Sequence, residues 1–251
     1  EMERHLLARA DLVFTGGRSL FEAKRGRHHA VHLFPSSIDA RHFGRARHGL
    51  PEPAALTPLP HPRIGFFGVV DERMDLALVA ALAALRPHWS FCMIGPVAKI
   101  DPAALPRAAN IHWLGPRDYR DLPAHLAHFD AGFMPFALNE STRFISPTKT
   151  PEFLAAGLPV VSTPVTDVVR DYGPQPGAPG LVEIARDAPA MAARLEELLH
   201  RPRDAWLARV DARLAAQSWD RTWAQMDTLL RAAMAPAPAA SRRVAAGAAH
   251  V

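Results

Sequence analysis

The hydrophobic positions of this chain fall into short continuous runs separated by amphipathic segments, and this alternation predicts the secondary structure. Buried strands are predicted at 11–15, 31–35, 63–68, 89–94, 110–114, 131–135, 158–162 and 181–185. Helices are predicted at 1–10, 18–25, 75–85, 122–128, 148–156, 165–171, 187–199, 203–217 and 219–234. Continuous apolar strands that alternate with helices indicate an α/β fold, in which helices cover both faces of a parallel sheet.

Changes in composition divide the chain into candidate domains. Residues 45–62 are rich in Pro, Ala and His and show no periodicity, so we expect a linker between a first unit at 1–44 and a second at 63–200. The predicted helices at 201–234 close the fold. Residues 235–251 contain mainly Pro, Ala, Ser, Gly and Arg, a composition typical of a disordered tail.

Composition and charge limit the class of function. The chain is 49% hydrophobic and 22% charged, as in globular proteins, and the sequence has no apolar run of about 18 residues that would cross a membrane. The net charge of +4 comes from Arg residues spread along the chain without interleaved aromatics, which argues against nucleic-acid binding. A basic surface attracts phosphorylated ligands or an anionic membrane instead. The single cysteine, Cys92, excludes an intrachain disulfide and fits a reducing cytoplasm, and we expect it in the core.

The segment 146–152, Ser-Pro-Thr-Lys-Thr-Pro-Glu, carries the most informative chemistry. It begins a predicted helix, whose free N–H groups attract anions. Lys149 adds a cation suited to a phosphate, and Glu152 can accept hydrogen bonds from a ribose diol. Pro151 predicts that the helix starts late, with Thr150 as its cap, or kinks. The segment indicates a nucleotide site, and the alternative is an ordinary capped helix with solvated surface charges.

The predicted topology favours the nucleotide over this alternative. Ligands of parallel sheets bind outside the carboxyl ends of the strands. Gly68, Gly95, Gly115 and Pro135 all stand where predicted strands end, and the segment 146–152 follows. We therefore expect these residues to converge on one edge of the sheet.

The order of these motifs resembles the C-terminal half of GT-B glycosyltransferases of the retaining family 4 type, over about residues 1–234. The matching segments are 11–15 (last strand of the family's N-terminal domain), 35–39 with Phe43 (interdomain segment), 64–68 (first strand and glycine loop), 110–116 (third-strand turn) and 149–163 (nucleotide-binding helix and strand). The most similar members make bacterial cell-surface polysaccharides, such as the teichuronic acid type.

The resemblance implies a Rossmann-like donor domain that binds a nucleotide-diphosphate sugar. Glu152 would hold the ribose, and Gly68 would let its loop approach the donor. Arg73 and Lys149 would be catalytic, because they stabilise charge on the leaving diphosphate. The turn that approaches the diphosphate comprises Ser146, Pro147, Thr148 and Lys149. No metal or cofactor is expected, since the sequence lacks an Asp-x-Asp motif.

Two positions depart from the family pattern. The Glu usually found eight residues before the ribose glutamate is Phe144 here, so Glu140 and Arg143 are the candidate contacts to the donor sugar. The Arg that commonly follows the loop glycine is Val69. The family also has a full N-terminal Rossmann-like domain that supplies the acceptor site. We expect this chain to contain only the end of it, at residues 1–44, and its activity alone to depend on the rest.

The sequence thus predicts a retaining, metal-independent glycosyltransferase that moves a sugar from a UDP or GDP sugar to a glycan or lipid-linked acceptor. It would act in the cytoplasm, at the inner face of the membrane. A non-catalytic nucleotide-sugar binding module remains an alternative, since Phe144 and Val69 depart from the pattern. A nucleotide-sugar epimerase of the same fold is a further alternative, although no convincing set of acid/base carboxylates and His is found.

Two other groups of residues have structural explanations. The histidines at 28, 29 and 32 lack Cys or carboxylate partners in register, so solvated or interface positions are expected for them rather than a metal site. Trp219 and Trp223, four residues apart, lie on one face of a predicted helix. We expect that face to pack on the sheet or on the N-terminal domain.

Overall fold

A computed structural model of the chain describes residues 1–235, so the predicted tail lies almost entirely outside the described part. The strands are β1 Val13–Thr15, β2 Val31–Leu33, β3 Arg63–Phe67, β4 Ser90–Ile94, β5 Ile111–Gly115, β6 Ala131–Met134, β7 Val160–Ser162 and β8 Glu183–Ile184. The helices are α1 Met2–Arg9, α2 Arg18–Lys24, α3 Ala40–Gly44, α4 Leu76–Leu85, α5 Leu122–Leu126, α6 Lys149–Ala155, α7 Thr166–Tyr172, α8 Ala188–His200, α9 Asp204–Leu214 and α10 Trp219–Met234.

The strands form two parallel sheets. The larger sheet has six strands in the order β5-β4-β3-β6-β7-β8, and β1 pairs with β2 in a separate small sheet. Alternate residues of the central strands enter two hydrophobic clusters: Phe66 and Phe133 pack with α4 and α8, whereas Phe67 and Met134 pack with α6 and α9. Because successive side chains of a strand point to opposite faces, the large sheet is covered by helices on both sides.

The predicted strands and helices are confirmed, with most ends displaced by one to three residues. The sequence missed α3, because a helix of five residues is too short to show a hydrophobic period. Of the two possibilities that Pro151 suggested, a late start of α6 is wrong: the helix begins at Lys149 after Thr148, so Thr150 is not its cap. Pro151 is accommodated in the first turn, where its missing N–H group would have had no partner within the helix.

The segment 45–62 is packed against the larger domain. Leu56 is fully buried in the hydrophobic cluster that contains α6. The Arg47 guanidinium donates to the Leu154 carbonyl of that helix at 3.1 Å. The His128 ring donates through Nε2 to the Leu50 carbonyl at 2.9 Å. These contacts hold the segment in place although its sequence lacks periodicity.

The small sheet is joined to the large domain through a buried carboxylate. Asp167, in the first turn of α7, is only 1% exposed and accepts hydrogen bonds from the Ser19 N–H at 3.0 and 3.3 Å. A Cβ on Gly17 would lie 2.9 Å from Cβ of Ser146. The start of α2 therefore lies directly against α7 and the segment that precedes α6.

The last helix, α10, contains no buried residue, and Trp219 and Trp223 are 50% and 59% exposed. Of the two positions that the sequence left open for these tryptophans, packing on the sheet is wrong. Of the two C-terminal helices, α9 is the one that packs into the core, through Trp206, Val210 and Leu214. Among the described residues, no helix combines the length and the apolar composition needed to cross a membrane.

Candidate functional site

The carboxyl ends of three neighbouring strands, β3, β4 and β5, pack tightly together. The Gly68 N–H donates to the Ile94 carbonyl at 2.8 Å, and the Gly95 N–H donates to the Gly115 carbonyl at 2.9 Å. Gly68 and Gly95 have φ values of +130° and +141°, and a Cβ on Gly95 would overlap the Gly68 carbonyl oxygen. Only glycine fits this geometry. The structure therefore brings together the strand ends that the sequence placed at one edge.

The Lys149 side chain lies directly over Gly68. A Cβ on Gly68 would overlap Cε and Nζ of Lys149, so the space left by the absent side chain is taken by the lysine. The ammonium lies 5.7 Å from the centre of the Phe66 ring, within the range of a cation–π interaction. The sequence suggested that Gly68 makes room for the donor, and the geometry shows that it makes room for Lys149.

Glu152 lies three residues after Lys149 and therefore on the same face of α6. Burial raises the pKa of its carboxyl to about 7, although Lys149 acts in the opposite direction. Burial also lowers the pKa of Lys149, an effect that Glu152 opposes and Arg73 reinforces. Among the described residues, none forms an ion pair with Glu152 or Lys149 within 4.0 Å. The two groups are thus partly desolvated without fixed partners.

Such a pair is suited to a ligand with an anionic part and a hydroxyl part. A phosphate next to Lys149 would favour the charged ammonium, and hydroxyl donors next to Glu152 would favour its carboxylate. Either contact offsets the unfavourable burial of a charge. The arrangement is the one expected at a site for a phosphate and a ribose.

Arg73 lies near Lys149 but is held by Asp71. Its Nε donates to both Asp71 carboxylate oxygens, at 3.0 and 3.1 Å, and its backbone N–H donates to the same group at 3.0 Å. Burial raises the pKa of the Asp71 carboxyl, but the Arg73 hydrogen bonds outweigh this effect and hold the pKa below its ordinary value. The Arg73 side chain remains 40% exposed. The guanidinium is thus paired with Asp71 and still reaches solvent.

The segment that precedes α6 contributes mainly backbone groups. Its carbonyls are used: Ser146 accepts from the Ser36 hydroxyl at 3.4 Å, and Pro147 accepts from the Thr150 N–H at 3.2 Å. The Thr148 side chain is exposed and does not cap the helix. The N–H groups of Thr148 and Lys149 donate to no other described residue, so they are available to a ligand.

Glu140 and Arg143 lie on an exposed turn and pair with each other at 3.4 Å. The Arg143 guanidinium also lies 5.0 Å from the centre of the Phe144 ring. No ion pair joins either residue to Lys149 or Glu152. Their polar contacts are thus to each other, and their role as contacts to the donor sugar stays a prediction.

An aromatic pair beside Glu152 escaped the sequence analysis. Tyr119 follows the turn after β5 and stacks on His42 of α3, with ring centres 4.3 Å apart and planes 10° apart. The His42 ring also donates through Nε2 to the Tyr119 carbonyl at 3.0 Å. Burial raises the pKa of Tyr119, and Glu152 and Asp39 add to the rise, so the phenol lies near Glu152. The only signal in the sequence was a tyrosine just after the third-strand turn.

The remaining candidate groups have structural positions. Within residues 1–235, no three His, Cys, Asp or Glu side chains come together in a way that could hold a metal ion. His28 bonds the Ala10 carbonyl through Nε2 at 2.9 Å. Cys92 is buried in the core, as predicted, and burial raises the pKa of its thiol to about 12. A thiol with so high a pKa is a poor nucleophile.

The chain is similar to known proteins both in sequence and in fold. A family model described as "Glycosyl transferases group 1" matches residues 61–201. Among curated proteins, the putative teichuronic acid biosynthesis glycosyltransferase TuaH of Bacillus subtilis (strain 168) is 34% identical over 103 residues, which are 40% of this chain and 26% of that protein.

Solved structures share the fold at low sequence identity. The sucrose-phosphate synthase of Thermosynechococcus elongatus aligns with a TM-score of 0.63 and 20% identity, over 92% of this chain and 60% of that one. Anabaena Alr3699/HepE in complex with UDP-glucose aligns with a TM-score of 0.68 and 15% identity, over 92% of this chain and 66% of that one. The chain therefore spans less than two thirds of the length of these similar proteins.

Proposed function

The chain belongs to the group 1 glycosyl transferases, and from this premise we propose that residues 63–200 bind the nucleotide-diphosphate sugar from which the protein transfers a sugar. The solved neighbours confirm the α/β GT-B fold class predicted from the sequence. The acceptor in this proposal is a glycan or a lipid-linked acceptor, and the name of the curated relative, which refers to teichuronic acid biosynthesis, supports it.

One observation carries the assignment of the donor site. Lys149 crosses over Gly68 at the carboxyl edge of the sheet, with Glu152 beside it, and both groups are partly desolvated without a fixed partner. In our proposal Lys149 contacts the diphosphate and Glu152 accepts hydrogen bonds from the ribose hydroxyls. The N–H groups of Thr148 and Lys149 contribute further donors. Tyr119, stacked on His42, borders the ribose and base side of the site.

The proposed mechanism is stabilisation of the leaving group. As the bond from the sugar to the diphosphate breaks, negative charge accumulates on the diphosphate. Lys149 and the exposed part of Arg73 would oppose that charge in a partly desolvated site, where fixed charges are most effective. Asp71 holds the Arg73 guanidinium in position for this role. In this proposal transfer retains the anomeric configuration and requires no metal ion.

We also propose that the protein works in the cytoplasm, at the inner face of the membrane. A single reduced cysteine and a basic composition support this location. A lipid-linked acceptor would bring the reaction to the membrane surface.

Calorimetric titration with UDP and GDP tests the donor site. We expect micromolar binding of one of them, weakened about tenfold in Glu152→Gln because the amide is a weaker acceptor than a carboxylate. The matched control is Glu197→Gln, which changes an exposed glutamate of α8 and should bind like the wild type. Equal affinities in the wild type and Glu152→Gln would contradict the assignment.

Transfer is tested separately, with the full-length protein and a radiolabelled donor sugar. The anomeric configuration of the product then reports retention or inversion, and addition of a chelator reports a metal requirement. Tight nucleotide binding without transfer to any acceptor would favour the non-catalytic binding module instead.

A further inference from the structure

A second polar cleft lies between the small sheet and the C-terminal helices. Its volume is about 260 Å³. One wall is formed by the start of α2 and the segment 35–37, and the opposite wall by α9, the turn after it and the first turns of α10. Ser146, Pro147 and Pro151 line it next to the end of α7. Gly68, Arg73, Lys149 and Glu152 do not line this cleft, whereas Ser146 and Pro147 of the turn before α6 do. The cleft therefore adjoins the proposed donor site but does not contain its charged residues.

Three arginines from separate parts of the chain line the cleft: Arg18, Arg213 and Arg221. Among the described residues, none of the three has a carboxylate partner within 4.0 Å. Arg221 donates one hydrogen bond to the Ala216 carbonyl at 3.0 Å, and the Arg213 guanidinium lies 5.5 Å from the centre of the Tyr172 ring. By contrast, Arg170, which immediately precedes Asp171, pairs with Glu22 at 3.2 Å.

The cleft has one carboxyl group, Asp171, at the end of α7. Burial raises its pKa and nearby Asp167 adds to the rise, whereas Arg213, Arg18 and Arg170 act in the opposite direction. Arg18 and Arg213 are therefore both close enough to the Asp171 carboxyl to influence its charge. Three guanidinium groups and one carboxyl in the lining leave an excess of positive charge.

Two polar atoms at the border of the cleft add hydrogen-bonding capacity. Ser37, only 5% exposed, has a hydroxyl without a partner among the described residues, and the same is true of the Gln217 side-chain oxygen. Buried polar atoms are nearly always paired in folded proteins. Both residues line the cleft.

We propose that this cleft binds a phosphate group, separately from the donor nucleotide. Guanidinium groups match the geometry of phosphate oxygens with paired N–H donors, and arginine is the residue best suited to this contact. The Ser37 hydroxyl can donate to a phosphate oxygen, and the Gln217 oxygen can accept from a protonated one. The phosphate belongs either to a free phosphorylated molecule or to a lipid phosphate.

The test measures inorganic phosphate binding by ³¹P NMR in a Lys149→Met background, which removes the unpaired cation of the donor site and leaves only Arg73, already paired with Asp71. We expect saturable binding that is weakened at least tenfold when Arg18, Arg213 and Arg221 are all changed to Ala. The matched control changes three exposed arginines outside the cleft, Arg25, Arg107 and Arg186, to Ala. It alters the net charge equally and should leave the affinity within twofold.

Asp171→Asn provides a second test, in which phosphate binding is expected to become tighter instead of weaker. The substitution removes the one carboxyl of the cleft, so phosphate should bind about threefold more tightly. Titration with farnesyl phosphate then separates the two sources, because a lipid phosphate should bind more tightly than inorganic phosphate only if the cleft serves a lipid. Equal weakening by the cleft triple variant and its control would overturn the proposal, and so would loss of all binding in Lys149→Met.

Discussion

The loop after β3 and the first turn of α6 meet at the same edge of the sheet. The buried charge in the loop has a hydrogen-bonded partner, whereas the charged side chains in α6 have none. In the loop, Asp71 is buried and fully engaged by Arg73. In α6, Lys149 and Glu152 are partly buried without fixed partners, and this burial shifts both pKa values toward the neutral forms. An engaged pair stabilises the protein itself, whereas an unengaged pair gains its partners from a ligand. The first therefore supports the site and the second is placed to bind.

Both regions depend on the glycines between them, and Gly95→Ala should disturb them most. The new Cβ overlaps the Gly68 carbonyl oxygen, and φ of +141° is unfavourable for alanine. We expect the free energy of unfolding to fall by about 3 to 4 kcal/mol in urea titration. Gly115→Ala is the matched control: φ is +71° and nothing lies within 4 Å of the new atom, so the loss should be about 1 to 2 kcal/mol. Equal losses would show that the contact with Gly68 is unimportant.

The unengaged carboxyl should make stability depend on pH. Because burial raises the pKa of Glu152 from 4.5 to about 7, the folded state holds the proton more tightly than the unfolded state. The contribution of Glu152 to stability is therefore full below pH 4.5 and is lost as pH rises through 7, by up to about 3 kcal/mol. Glu152→Gln should remove this decrease and exceed the wild type in stability above pH 7. Parallel curves for the two proteins between pH 4.5 and 8 would contradict the prediction.

Substitutions of Lys149 and Arg73 should distinguish nucleotide binding from protein stability. Lys149→Met should weaken UDP or GDP binding about 10- to 100-fold and change the free energy of unfolding by less than about 1 kcal/mol. Arg73→Met should cost about 1 to 3 kcal/mol of stability, because Asp71 stays buried without its partner. Calorimetry and urea titration on both variants check the pattern. The contrast between the two regions fails if Lys149→Met loses as much stability as Arg73→Met.

The smallest effect is expected at the exposed turn. Arg143→Gln breaks an ion pair with Glu140 in which both side chains are largely exposed, and such pairs contribute little. Affinity for the nucleotide should stay within about twofold of the wild type. A larger loss, measured with the nucleotide sugar but not with the nucleotide alone, would show that the turn closes over the sugar.

Features of the site can be predicted from the sequence where they depend on local patterns, and not where they depend on contacts between distant residues. Gly68, Gly95 and Gly115 could be assigned to one edge, because each follows an apolar run and parallel strands end together. The contact of Lys149 with Gly68 depends on the spacing of two strands and on one side-chain rotamer, which no local pattern encodes. The stack of Tyr119 on His42 joins residues 77 positions apart.

The helices show the same limit. Trp219 and Trp223 could be placed on one helix face by their spacing, but the period of a helix does not identify what covers that face. In the structure both are largely exposed. The five residues of α3 carry no period at all, and the Asp39 carboxylate accepting from the His42 N–H at 2.9 Å is what begins the helix.

The passage of Lys149 over Gly68 also has an evolutionary consequence. A side chain at position 68 and a long side chain at position 149 would occupy the same volume, so each residue restricts what mutation can place at the other. A lineage that acquires alanine at 68 is expected to shorten or redirect residue 149 as well. The two positions, 81 residues apart in the chain, should therefore vary together as a pair.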